Sequence, residues 1–294
     1  MKEALMTTLT AKKPKVTKDV ERWQASRWDQ IVGNKLLKEY LWDMIWCIRM
    51  EGHISGFNAL ITGPSRGGKT STVRFGIKCI GCLKFDFETM NPCGDCSYCN
   101  LNHHLYGNDG WENHIDVFND DNLRTPIRYH HMPLDCSRLN ETQIEDCIQK
   151  IRINDENLRI ITLDEVHRLS RRSMDERLLK PVEDFPAIWI AMSANVKKED
   201  DNDLKKLEKM FQNRFTYRIN TQKPTVPEMM VWLAERCEDF GITCESPKAT
   251  LKDLAERCNQ LPGMALQVLN KAHKRRSKQL DAALVESHVF DLDD

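Results

Sequence analysis

The apolar run Phe57-Asn58-Ala59-Leu60-Ile61-Thr62 passes without a break into Gly63-Pro64-Ser65-Arg66-Gly67-Gly68-Lys69-Thr70, and residues 71–79 follow with helical spacing. A buried strand, a glycine turn and a helix in that order require a sheet whose carboxyl edge faces the start of the helix. The turn fits the pattern G-x-x-x-x-G-K-[ST]. Glycines let the backbone curl until successive N–H groups converge on an anion, and the helix N-terminus adds its partial positive charge. The spacing therefore predicts an ATP-binding loop over Gly63, Pro64, Ser65, Arg66, Gly67, Gly68, Lys69, Thr70 and Ser71. Lys69 is expected to neutralise the β- and γ-phosphates, and the Thr70 hydroxyl to ligate Mg²⁺.

A second buried strand, Arg159-Ile160-Ile161-Thr162-Leu163, ends in Asp164-Glu165. At the carboxyl end of a parallel strand both carboxylates stand beside the glycine loop. Asp164 is expected to hold the Mg²⁺, and Glu165 to orient and polarise the attacking water. An acidic pair alone can equally cap the next helix; the loop upstream favours hydrolysis. Residues 187–192 read as a third strand and 134–136 as a short one, while 34–50, 141–151 and 173–183 have helical spacing. That order implies an α/β fold, a parallel sheet flanked by helices. After Thr221-Gln222-Lys223-Pro224 the strand signals stop. Residues 227–240, 247–258 and 264–275 read as helices, the first two opening on proline, so a small all-helical domain is expected. The expected organisation is an arm over 1–27, an α/β domain over 28–222 and a helical domain with a short tail over 223–294.

Lysine plus arginine (43) and aspartate plus glutamate (44) leave a net charge of −1 in 294 residues, so bulk charge argues for neither a nucleic acid nor a membrane. No apolar stretch is long enough to span a bilayer, and residues 1–10 lack the apolar segment of a secretory signal. With no export signal, eleven cysteines read as reduced thiols, some of them metal-bound, in a cytoplasmic protein. Cys93, Cys96 and Cys99 have the spacing that brings thiolates onto one tetrahedral zinc. Cys82 is the first choice for the fourth ligand, ahead of Cys79 and then His103 or His104. A closed four-ligand site is structural rather than catalytic.

Several separate stretches resemble the AAA+ ATPases of the DNA clamp-loader family, above all the bacterial gamma/tau subunit of DNA polymerase III. They are Trp28-Asp29-Gln30-Ile31-Val32-Gly33-Asn34, the glycine loop, the cysteine module at 79–104, Leu134-Asp135-Cys136-Ser137, Leu163-Asp164-Glu165-Val166-His167-Arg168-Leu169-Ser170, and Leu178-Leu179-Lys180-Pro181-Val182-Glu183-Asp184. The resemblance implies an AAA+ ATPase domain with an inserted zinc module and a helical lid, working in an oligomer in DNA replication or a related process. It places Val32 beside the adenine. It places Ser193, or alternatively Asn195, at the γ-phosphate as a polar sensor. It makes Arg214, in Asn213-Arg214-Phe215, a finger reaching a neighbouring subunit's ATP. The sequence departs from the family at Leu266, where a second sensor arginine is expected. About twenty residues follow the lid, too few for the family's collar domain.

Partners follow from the same residues: further copies or related AAA+ subunits, DNA, and another protein. Lys271, Lys274, Arg275, Arg276 and Lys278 form a basic run that suits DNA phosphates, although it suits a solvated helix end rather better. Ser170-Arg171-Arg172-Ser173 is a somewhat better DNA candidate, because the resemblance places the family's DNA-facing surface just after the acidic strand end. The competing reading is an ATP-binding switch or adaptor with little hydrolysis in a mobile-element or defence complex, motivated by Leu266.

Overall fold

A computed structural model describes residues 23–51, 56–96, 99, 115–116, 129–152, 158–170, 174–194, 209–244 and 246–288; of 115–116 and 129–130 it describes the backbone alone. Asn195, His103, His104 and residues 171–173 lie outside the described residues.

Strands β1 (Ala59–Gly63), β2 (Ile115–Asp116), β3 (Tyr129–Asp135), β4 (Leu158–Asp164), β5 (Ala187–Ala194) and β6 (Tyr217–Asn220) form one sheet in the order β2-β3-β4-β5-β1-β6. All neighbours are parallel except β2, which pairs antiparallel with His130 and His131 at the edge. Helices cover both faces, so the central strands are apolar on both sides. Alternate residues of β5 divide the core. Ile188, Ile190 and Met192 pack with Ala59 and Ile61 under helices α1 (Lys35–Trp46) and α2 (Lys69–Gly81). Trp189 and Ala191 pack with Leu60, Ile161 and Leu163 under α3 (Glu141–Arg152) and α4 (Asp175–Asp184). The expected parallel sheet flanked by helices is therefore present.

Two local readings need correction. The short strand expected at 134–136 begins at Tyr129 and ends at Asp135. Its upstream half was hidden by polar residues: buried His131 is accommodated by a 3.1 Å contact between its Nε2 and Thr162 Oγ1. Pro133 stands opposite Thr162 of β4 in the parallel register. The carboxyl-terminal region is also not purely helical. Helices α6 (Val226–Phe240), α7 (Pro247–Arg257), α8 (Pro262–Lys274) and α9 (Ala282–Ser287) enclose a short parallel pair, β7 (Thr243–Cys244) with β8 (Gln279–Leu280). Between β5 and β6 lies the single-turn α5 (Lys209–Gln212).

The start of α6 is fixed locally. Thr225 Oγ1 accepts from the Glu228 N–H while the Glu228 carboxylate accepts from the Thr225 N–H, a capping box, and left-handed Gly241 ends the helix. This helical unit has its own core of Met229, Leu233, Leu254, Ala265 and Val268. Where it docks on the sheet domain, Trp232 Nε1 donates to the Gln30 carbonyl at 2.7 Å, and the Gly263 N–H to the Arg66 carbonyl at 3.1 Å.

Candidate nucleotide site

The strand register brings the site together. Thr62 stands beside Ser193 and Gly63 beside Ala194 on β5, and Leu163 of β4 stands beside Ala191. The carboxyl ends of β4, β5 and β1 therefore adjoin, and the glycine loop, Asp164 and Ser193 share one edge of the sheet. A cavity of about 530 Å³ opens there, walled by Ser65 to Ser71 from the loop, Asp164 and Glu165 from β4, and Trp232, Pro262, Gly263, Leu266 and Gln267 from the helical domain.

The glycines are required by close approach. Gly63 has φ 152°, and a Cβ added there would stand 1.8 Å from Thr221 Oγ1 and 3.0 Å from the Thr221 carbonyl oxygen. Gly63 and Pro64 shape the loop from behind, since neither is among the cavity's lining residues; their carbonyls accept from Lys69 Nζ at 3.0 and 2.8 Å. Burial lowers the Lys69 pKa, and the nearby Glu165 and Asp164 partly offset that effect. The ammonium thus rests on carbonyls where an anionic ligand gives it stronger partners.

Thr70 Oγ1 lies 3.2 and 3.1 Å from the two Asp164 carboxylate oxygens, so hydroxyl and carboxylate converge as a magnesium ion needs. The Glu165 N–H donates to Asp164 Oδ1 at 3.1 Å. Glu165 itself has φ 52° and ψ 42°, a left-handed turn that ends the strand and swings its carboxylate to the cavity. Burial, and then repulsion from Asp164, raise its pKa.

Val32 lines the cavity with Trp23, Ala25, Ile31 and Trp232, giving the apolar wall that a base needs. Trp23 packs edge-on to Trp232 at 6.1 Å, with the Arg236 guanidinium 5.0 Å over its ring. Leu266 sits in the same wall. Arginine and lysine do line the cavity, but Arg66, Lys69, Arg74 and Lys78 all come from the sheet domain. Arg214 does not line it; its Nη2 pairs with Glu183 Oε2 at 2.7 Å. Ser193 is buried behind the loop, with Oγ 3.0 Å from His167 Nδ1.

Three contributors escape a reading of the sequence. Asn34 Nδ2 donates to the Gly67 carbonyl at 3.0 Å and to Thr72 Oγ1 at 3.3 Å, bracing the loop from α1. His167 joins two site residues. Gly263 meets Arg66 so closely that a Cβ would lie 3.0 Å from the Arg66 carbonyl oxygen and 3.1 Å from its Cβ. Overpacking of this kind costs about 1–3 kcal/mol. Gly263→Val should therefore weaken ATP binding about tenfold without unfolding either unit, as titration of a fluorescent ATP analogue and thermal melting would show. Unchanged affinity would mean that the docking contact does not serve the site.

The four cysteines Cys82, Cys93, Cys96 and Cys99 form a second centre, every sulfur within 4.8 Å of every other. Zinc–sulfur bonds of about 2.3 Å in a tetrahedron imply sulfur separations of about 3.8 Å, and Cys93 Sγ lies 3.9 Å from Cys99 Sγ. The hydrogen bond from the Cys99 thiol and the Cys93 N–H hold the Cys82 pKa down to about 5 despite its burial. The donor set fits zinc. Of the alternatives for the fourth ligand, Cys79 is buried nearby with its Sγ toward the Met90 carbonyl.

This is the fold of the AAA+ ATPases. Thermotoga maritima RuvB, described as a Holliday junction branch migration motor, superposes with a TM-score of 0.56 at 15% identity over 90% of this chain and 70% of that one. C. elegans PCH-2 gives 0.51 at 13% identity over 88% and 68%. Closed-state Hsp104 with ATPγS and FITC-casein gives 0.51 at 15% identity over 87% and 41%. No protein-family model and no curated protein sequence matches the chain. At these identities the likeness establishes the fold.

Proposed function

We propose that this chain is an ATP-hydrolysing AAA+ subunit, clamp-loader-like, acting in an oligomer on DNA or on a DNA-bound partner. The observation that carries it is the meeting of Lys69, Thr70, Asp164 and Glu165 at one sheet edge, beneath a wall supplied by the helical domain. ATP would lie with its base against Val32 and Trp232 and its phosphates on the loop. Thr70 and Asp164 would hold Mg²⁺, which supplies charge neutralisation at the phosphates. Glu165 would accept a proton from the attacking water, Lys69 would neutralise the transferring group, and Ser193 would face the γ-phosphate.

Arg214 supports the oligomer. It stands away from its own cavity and, among the described residues, its guanidinium pairs with Glu183, whose side chain is 50% exposed. An exposed pair of this kind is worth at most about 1 kcal/mol, so a neighbouring subunit's phosphate can draw Arg214 off as a trans finger. RuvB, described as a branch migration motor, and Hsp104, imaged with casein, agree with a DNA or protein load. The basic run of α8 favours DNA less, because Arg275 is paired with Asp281 at 2.9 Å. Among the described residues no helix is long and apolar enough to cross a membrane, and a cytoplasmic place with zinc in the cysteine cluster completes the reading.

One observation favours the second reading, an ATP-binding switch or adaptor: Leu266 lies in the cavity wall and, among the described residues, the helical domain places no cation there. Phosphate release with and without DNA decides between them. An ATPase turns over, and mixing inactive Arg214→Ala subunits with inactive Lys69→Ala subunits restores turnover if the finger acts in trans. Background release under both conditions leaves the switch.

A further inference from the structure

Helix α1 is apolar on two sides. Leu37, Tyr40, Leu41, Met44 and Ile45 are buried in the core beneath it. On the outer side Trp42 and Trp46 stand one turn apart, and Met50 follows in the π-helical turn Cys47–Glu51. The cysteine module adds Leu83 and Phe87, with the Phe87 ring edge-on to Trp46 at 6.0 Å. Arg49 fixes this join: its guanidinium lies 5.5 Å over the Phe87 ring and donates to the Ile80 carbonyl at 2.6 Å. The five outer side chains are each 37–54% exposed. Apolar residues on both sides of a helix call for cover on both. Tryptophan, methionine and phenylalanine exposed together are the composition of a surface that a protein partner covers.

The charges around the patch say what that partner is. Glu39 and Asp43 each stand three residues before a patch tryptophan, hence on its side of α1, and Glu51 follows Met50. Burial, and then Glu51 and Asp43, raise the Cys47 pKa, so both carboxylates reach the residue after Trp46. Asp86 and Glu88 flank Phe87. All five carboxylates are exposed; over the same two segments the exposed lysines are Lys35 and Lys84, and Lys35 lies 4.0 Å from Glu39. A rim of this sign repels DNA phosphates and an anionic lipid surface, and two copies of the patch face to face would set carboxylate against carboxylate. We propose that the outer face of α1 and the cysteine module together dock an amphipathic segment of another protein, its apolar face on Trp42, Trp46, Met50 and Phe87 and its flanking lysines or arginines on Asp43, Glu51 and Glu88. None of these residues lines the nucleotide cavity, so the surface is a second site.

The test titrates the full chain with two labelled synthetic helices, one with leucines along one face and lysines beside them, the other with glutamates in place of the lysines. The leucine–lysine helix should bind and shift tryptophan emission to the blue, and the leucine–glutamate helix should bind at least about tenfold more weakly. Trp46→Ser with Met50→Ser should weaken the first helix about tenfold or more, the scale of a lost aromatic anchor. Asp43→Lys with Glu88→Lys, which leaves the apolar residues in place, should bring the two helices to similar affinity. ATP affinity should be unchanged in both variants. Failure of the leucine–lysine helix to bind, equal binding of the two helices by the wild type, or full affinity in Trp46→Ser/Met50→Ser each overturns the proposal. A wild-type oligomer that this variant breaks up would make the occupant a second copy, and tighter binding to phosphatidylserine vesicles than to the leucine–lysine helix would make it a membrane; either result overturns it as well.

Discussion

Glu165→Gln should bind ATP about as tightly as the wild type and hydrolyse it at least about 100-fold more slowly, the scale of a lost general base. The amide keeps the size of the carboxylate and cannot take a proton. Binding survives because the loop contacts belong to Lys69, Thr70 and the backbone between Gly63 and Gly68, and the bonds that hold Lys69 and Thr70 run to the Gly63 and Pro64 carbonyls and to Asp164. Lys69→Ala should do the opposite and lose binding first. The pH profile carries the same signature with a definite sign. Burial and Asp164 raise the Glu165 pKa, so the ionised base is lost as pH falls through a value above that of a free glutamate. The acid limb of kcat/KM in the wild type should accordingly lie above pH ~4.3, and it should be missing from the residual activity of Glu165→Gln. Phosphate release and fluorescent-nucleotide titration measure both quantities. Equal kcat in the two proteins would take the water-orienting role away from Glu165.

The sheet was legible wherever strands are covered on both faces. Residues 59–63, 158–164 and 187–194 are mostly apolar because each side of them meets helices. β6 was not legible for the opposite reason. It is an edge strand in which only Ile219 is buried, so Tyr217-Arg218-Ile219-Asn220 has no apolar run to show. The site divides in the same way. The glycine loop, Asp164-Glu165 and the cysteine spacing are local patterns, and local chemistry dictates them. The contacts of Asn34 with Gly67, Gly263 with Arg66 and His167 with Ser193 depend on strand register and on docking of the helical unit, which no neighbouring residues announce. Arg214 was visible only through resemblance; its Glu183 partner follows from the packing of α5 on α4.

Stripping zinc should destabilise the protein more than any single side-chain change in the lid. Purified protein should hold about one zinc per chain, and its removal by a chelator should lower the Tm by roughly 10 °C or more, given the ~10–16 kcal/mol that structural zinc contributes to isolated zinc-finger peptides. Hydrogen bonds to the sulfurs, such as the Cys93 N–H to Cys82 at 3.2 Å and the Cys99 N–H to Cys96 at 3.4 Å, are far weaker than zinc–thiolate bonds. The effect should not stay within the module. Trp28 Nε1 donates to the Met90 carbonyl at 2.6 Å and its N–H to Asn91 Oδ1 at 2.9 Å, while its ring packs edge-on to Phe75 of α2 at 4.8 Å. Arg49 Nη1 donates to the carbonyls of Cys79, Ile80 and Cys82 at 3.2, 2.6 and 3.1 Å, closing the end of the same helix. Helix α2 begins at Lys69, so loosening the module loosens both the helix that carries the phosphate loop and the burial of Trp28. Tryptophan emission should shift to the red on chelation, ATP affinity should fall with it, and Cys82→Ser should reproduce both changes. Metal-free protein that melts with the wild type and binds ATP equally well would show the four sulfurs to be buried thiols, with the module held by its hydrogen bonds to Trp28 and Arg49.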